Sequence, residues 1–324
     1  MRLTTPRAAL FGAIAISALA LAGCSTGAPA AETTGLSVVA STNVYGSIAE
    51  ALGGDLVTVT SIVASAAQDP HSFEASAHDQ LALSKAVLVI ENGGGYDPFI
   101  DTLISASSSD APVINASEAS GLLEADHAAP DDHAATDDPD GHDHVEGFNE
   151  HVWYSLHGVQ HVAEAIAEQL STLDAANAST YAAKLAAFSA QLDTLEATAE
   201  ALHTSMLATN PDGLGVAITE PVPLYLLEAA GFTNRTPEAF SEAIEEGSDV
   251  APATLSQTLE LFDSGSVALL AYNSQTASAE TERVRVAAEK NGVPVVEFTE
   301  TMPDGADYVS WMTDNLSAIS AAVN

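Results

Sequence analysis

Residues 178–206 form a run of 29 residues that contains neither glycine nor proline. Its large apolar side chains are Tyr181, Leu185, Phe188, Leu192, Leu195, Leu202 and Met206. Steps of four and three recur among them, which lays one apolar stripe along a helix. A coiled-coil dimer is the ordinary use of such a stripe. Only about four heptads are present and charged flanking residues are few, so one long helix spanning two lobes fits better. The run ends before Asn210-Pro211-Asp212-Gly213, a strong turn signal.

Short apolar runs alternate with helical spacing on both sides of this helix. Residues 36–40, 56–63, 86–90 and 111–114 read as strands before it, with helices over 44–52, 79–84 and 99–104. Residues 159–173 read as a further helix. After the turn, strands are expected at 214–218, 267–271 and 293–296, and helices at 221–230, 252–263, 280–290 and 308–323. Strands alternating with helices predict an α/β class, with two lobes built on parallel sheets and joined by the long helix. The 324 residues, 47% of them hydrophobic, can bury two cores. The expected division is 36–155 for the first lobe, 156–209 for the linking helices and 210–324 for the second lobe.

The N-terminus predicts the compartment. Arg2 and Arg7 precede an apolar stretch over residues 10–22, too short to span a bilayer as a helix. It leads into Leu21-Ala22-Gly23-Cys24, and Cys24 is the only cysteine of the chain. This order resembles a bacterial lipobox, so residues 1–23 are expected to be a signal peptide and Cys24 a lipidated N-terminus. Residues 24–35 then read as a flexible tether. The domain would sit outside the cytoplasm as a monomer, held to the cell membrane by lipid alone. Cleavage would remove two basic residues and take the formal charge from −37 to −39. Such a surface repels nucleic acid and anionic lipid and attracts cations.

Between residues 126 and 144 lie four histidines, His127, His133, His142 and His144, and seven aspartates. No large apolar residue interrupts the tract, so it cannot offset the entropy of ordering and is expected to be a mobile loop, extending over residues 126–147. Imidazole and carboxylate are ligands for borderline divalent metals, which makes these histidines an accessory metal-binding candidate.

Four further positions lie just after expected strands or in loops between elements: His71, His151, Glu220 and Glu300. In α/β lobes, ligands bind beyond the carboxyl ends of the strands. Two facing lobes would bring two imidazoles and two carboxylates into one cleft, a set that suits Zn²⁺ or Mn²⁺. Taken singly each has a blander reading: a surface or capping histidine for His71, a first-turn helix acid for Glu220, a loop acid for Glu300. No short motif such as HExxH occurs.

Several segments together carry a resemblance. They are Val39-Ala40-Ser41-Thr42, Asp69-Pro70-His71, Glu91-Asn92-Gly93, Glu150-His151-Val152-Trp153 and Tyr308-Val309-Ser310-Trp311-Met312. With the long helix and the His-rich tract, they resemble the substrate-binding lipoproteins of bacterial ABC transporters for zinc and manganese. The resemblance implies two α/β lobes joined by one helix, capture of a divalent metal in the cleft, delivery to an ABC permease, and no catalysis. It also implies that His71 and His151 are the first two ligands. Zinc members carry His as third ligand and manganese members Glu; this chain offers Glu220. The fourth is usually Asp, and Glu300 stands there, with Glu297 and Asn273 as fallbacks. The His-rich tract favours zinc, while two histidines with two carboxylates resemble the manganese type. Two other functions remain open on residues alone: a secreted metallohydrolase with Glu220 as base, and a surface adhesin.

Overall fold

The computed structural model describes residues 35–107, 109–123, 147–211 and 213–323. The expected signal peptide over residues 1–23, Cys24 and the histidines His127, His133, His142 and His144 lie outside the described residues.

The first lobe holds β1 (Leu36–Thr42), α1 (Asn43–Gly53), β2 (Val57–Val63), α2 (Ala77–Leu83), β3 (Leu88–Glu91), α3 (Pro98–Ser107), β4 (Val113–Asn115) and α4 (Ala116–Ala119). Two helices follow, α5 (Leu156–Leu173) and α6 (Ala178–Thr209). The second lobe has β5 (Leu214–Ile218), α7 (Leu224–Ala229), β6 (Phe232–Asn234), α8 (Glu238–Glu245), α9 (Pro252–Asp263), β7 (Leu269–Asn273), α10 (Ala279–Lys290), β8 (Val295–Phe298) and α11 (Tyr308–Val323).

Both sheets are parallel and share one topology, β2-β1-β3-β4 and β6-β5-β7-β8. The inner strands β3 and β7 are buried at every residue, as helices on both faces of a parallel sheet require. The edge strand β2 instead alternates β-branched and polar residues, and its burial is broken accordingly. In each lobe the strand order reverses between the two inner strands, so both lobes offer a crevice at the carboxyl ends of their strands.

One core runs through the molecule from Val38 and Ile48, through Ile166, Phe188 and Leu195, to Ile218 and Ile319. It covers the inner faces of both sheets with α5, α6 and α11. The outer faces have their own clusters, around Val89 and Phe99 in the first lobe and Phe240 and Leu270 in the second. The stripe on α6 is buried at Tyr181, Phe188, Leu192, Leu195, Ala199, Leu202 and Met206, with Leu185 half-buried beside it. Across the lobes, the Asn43 amide donates to the Met302 carbonyl and accepts from the Met302 N–H, at 2.8 and 3.0 Å. The Tyr308 hydroxyl donates to the Trp153 carbonyl at 2.7 Å. Among the described residues, no helix is long and apolar enough to cross a membrane.

Some boundaries differ from the sequence reading. The strands expected at 267–271 and 293–296 run two residues later, because parallel pairing of β7 with β5 (Val216 opposite Leu269) and of β8 with β7 (Leu270 opposite Val295) sets the ladder rather than the apolar run. That shift places Asn273 at a strand end. The three-residue strand β6 and the helix α8 lay in a stretch to which no element was assigned. Both are short, and β6 forms only through its pairing with β5.

Candidate metal centre

Each lobe contributes side chains that its local structure fixes in place. His71 follows β2, in a loop tightened by Asp69. One Asp69 oxygen accepts the His71 N–H at 3.0 Å and the other the Ser72 hydroxyl at 2.7 Å. The imidazole stands edge-on to the Tyr96 ring, 4.8 Å between centroids. Tyr96 is placed by Gly93, Gly94 and Gly95, all with positive φ. A Cβ at Gly93 would collide with the Asn115 amide, so only glycine permits this turn.

His151 is 1% exposed and packs against Trp153 at 5.1 Å and Tyr96 at 5.7 Å. The Asn149 side-chain oxygen lies 2.8 Å from its Nδ1 and also accepts its backbone N–H. Nδ1 therefore carries the proton, and Nε2 keeps the lone pair that a metal needs.

Glu220 follows β5 and Glu300 follows β8, each 3% exposed. The Asn273 amide nitrogen donates to both, to Glu220 Oε2 and, at 2.8 Å, to Glu300 Oε1. Asn273 is thus a clamp between the carboxylates, its own oxygen taken by the Gln275 N–H at 3.0 Å. Gln275 in turn accepts the Glu300 N–H at 2.6 Å. The second Glu300 oxygen receives the Tyr96 hydroxyl at 3.3 Å and lies 4.0 Å from His71 Nε2. Glu297 is exposed on β8 and faces away from this cluster.

One ligand atom each from His71, His151 and Glu300 lies within 4.8 Å of the others. A tetrahedral ion with bonds of about 2.0–2.2 Å holds its ligand atoms about 3.5 Å apart, so small inward movements would close this set. Glu220 stands outside it, joined through Asn273. A second set, His71, Glu150 and Glu245, meets the same distance. Neither Glu150 nor Glu245 was selected from the sequence. In the sequence Glu150 stands out only as the neighbour of His151. Glu245 ends α8, whose signal was the four-residue spacing of Phe240 and Ile244 after Pro237.

Among the described residues, the Lys and Arg ion pairs are those of Arg285, on a helix outside the ligand cluster. Burial, then repulsion from Glu220, pushes the Glu300 carboxyl up to about 8. Burial pushes Glu220 up to about 7 against hydrogen bonds that pull it down. Glu245 is driven well above the carboxylate range by burial and then by Glu150. Carboxylates held this way are stabilised by a cation placed among them.

The family model described as zinc-uptake complex component A, periplasmic (ZnuA), matches residues 38–322. The chain is 27% identical over 223 residues to a manganese-binding lipoprotein, MntA, of Halalkalibacterium halodurans, covering 68% of this chain and 66% of that relative's length. It is 25% identical over 322 residues to MtsA of Streptococcus pyogenes, an iron ABC transporter substrate-binding lipoprotein, covering 96% of each. A crystal structure of ZnuA superposes with a TM-score of 0.67 at 21% identity, over 90% of this chain and all of that one, and so shares the fold.

Proposed function

The chain belongs to the ZnuA family of periplasmic substrate-binding proteins of ABC importers, which catalyse no reaction, and from that premise we propose that it captures Zn²⁺ in the cleft between its lobes and delivers it to an ABC permease. The observation that carries this is the convergence of His71, His151 and Glu300 from both lobes within 4.8 Å. Glu220, held to Glu300 by Asn273, is the fourth ligand once the cleft closes on an ion. The two imidazoles favour zinc. A second reading, Mn²⁺ as cargo, is favoured by the number of carboxylates in the same cleft. We place the protein outside the cytoplasm as a monomer, anchored through lipidated Cys24.

Calorimetric titration of the metal-stripped protein with Zn²⁺ and with Mn²⁺ tests this. Binding at micromolar affinity or tighter is expected, and His71→Ala should weaken it roughly 100-fold. Binding of neither metal by the wild type would remove the proposal. We further propose that His127, His133, His142 and His144 take extra ions loosely. Deleting residues 126–144 should then lower the metal stoichiometry and spare one tight site; loss of the tight site on deletion contradicts that assignment.

A further inference from the structure

The ligand set proposed above leaves half of the cleft's carboxylates unused. Glu150, Glu245 and Glu300 lie close to His71 or His151, and Glu220 is joined to Glu300 through Asn273. Among the described residues the Lys and Arg ion pairs are those of Arg285, far along the chain on α10 and joined to its own helix.

Glu245 is the outlier. Its Oε1 is sealed from solvent, accepts no hydrogen bond from a described residue, and sits 3.8 Å from the protonated Nδ1 side of His151. It stands beside the nitrogen of that ring that Asn149 holds, not the one left for a metal. Glu220, 3% exposed, lies close to the Thr276 hydroxyl and receives the Asn273 amide on Oε2. Its charge acts on Glu245. One ligand atom each of His71, Glu150 and Glu245 lies within 4.8 Å of the others, as close as the set with His151 and Glu300. The second set is less buried, since both His71 and Glu245 keep 14% of their side chains exposed.

We propose that the cleft has two overlapping divalent-cation positions that share His71: one completed by His151 and Glu300, the other by Glu150 and Glu245. The inference rests on the reading of the cleft as a metal site. The first position offers two nitrogens and suits Zn²⁺. The second offers one nitrogen and two carboxylates, and so suits a harder ion such as Mn²⁺. Because both draw on His71, one ion occupies one position or the other, and Glu245 sets how well the harder ion competes.

Glu245→Gln tests this, since the amide keeps the shape and removes the charge. Metal-stripped wild type, Glu245→Gln and His151→Ala are titrated calorimetrically with Mn²⁺ and with Zn²⁺, and their melting curves report folding. In Glu245→Gln, Mn²⁺ affinity should fall roughly tenfold or more while Zn²⁺ changes less than about threefold. In His151→Ala the order should reverse, with Zn²⁺ the more weakened. Equal effects on both metals in either folded variant, or none in Glu245→Gln, overturn the two-position arrangement while leaving the metal-capture reading intact. A wild type that binds neither metal fails at the earlier step.

Discussion

A buried carboxylate with no cation beside it costs stability, and Glu91 isolates that cost outside the cleft. It ends β3, is 9% exposed, and receives the Asn115 amide at 3.0 Å. Burial first, then the charges of Asp97 and Asp101, push its carboxyl from the ordinary 4.5 up to about 7. The fold therefore holds the proton more tightly than the unfolded chain does. The stability this provides is complete below pH 4.5 and is lost as pH rises through about 7. Glu91→Gln keeps the acceptor for Asn115 and removes the ionisation. It should stabilise the protein by about 1–3 kcal/mol at pH 8 and by less than about 1 kcal/mol at pH 5. Urea unfolding at the two pH values measures it, and an equal gain at both would show that charge burial is not the cause. The cleft differs from Glu91 in having donors arranged for two acids at once, through Asn273. That clamp was not legible in the sequence, where Asn273 figured only as a fallback ligand, because its role depends on β5, β7 and β8 lying side by side.

Among the elements, α6 was the most legible and α8 the least, for one physical reason. Over 32 residues the apolar period repeats enough times to be unmistakable, and its stripe of seven buried residues follows it. Over eight residues a single Phe-to-Ile spacing cannot be told from chance. Hence His71, His151, Glu220 and Glu300, which sit beside strong elements, stood out, and Glu245 did not. The stripe also makes α6 a shared wall. Leu192 and Leu195 are 1% and 4% exposed in a core that includes Val38 of the first sheet and Ile218 of the second. A cavity at Leu192 should therefore loosen both lobes. Leu192→Ala is expected to cost about 2–4 kcal/mol and to lower a single cooperative melting transition. Two separated transitions, one of them unchanged, would show that the lobes fold independently of α6.

At the scale of the whole molecule, the dominant fact is charge: 45 acidic residues against 8 basic ones. Ion pairing relieves little of it, since the Lys and Arg pairs among the described residues are those of Arg285 with Glu282 and Glu289 on an exposed helix face. Pairs of that kind contribute little. The fold must then stand against its own repulsion, which acts over a Debye length of about 10 Å at 0.1 M salt and about 3 Å at 1 M. Raising NaCl from 0.1 to 1 M should increase the melting temperature of the metal-free protein by several degrees at pH 7. Non-specific salting-out predicts a rise too, so the decisive comparison is with pH 4.5, where many carboxylates are neutral. Screening requires the salt effect to shrink there; an undiminished rise at pH 4.5 would assign it to hydrophobic burial instead. Bound metal adds a second comparison. Glu300 and Glu220, raised to about 8 and 7, hold protons at pH 7 that an ion displaces as it binds, so the metal-loaded and metal-free forms should gain nearly equally from salt. Differential scanning calorimetry of both forms across the two salts and two pH values separates the local repulsion of the cleft from that of the surface.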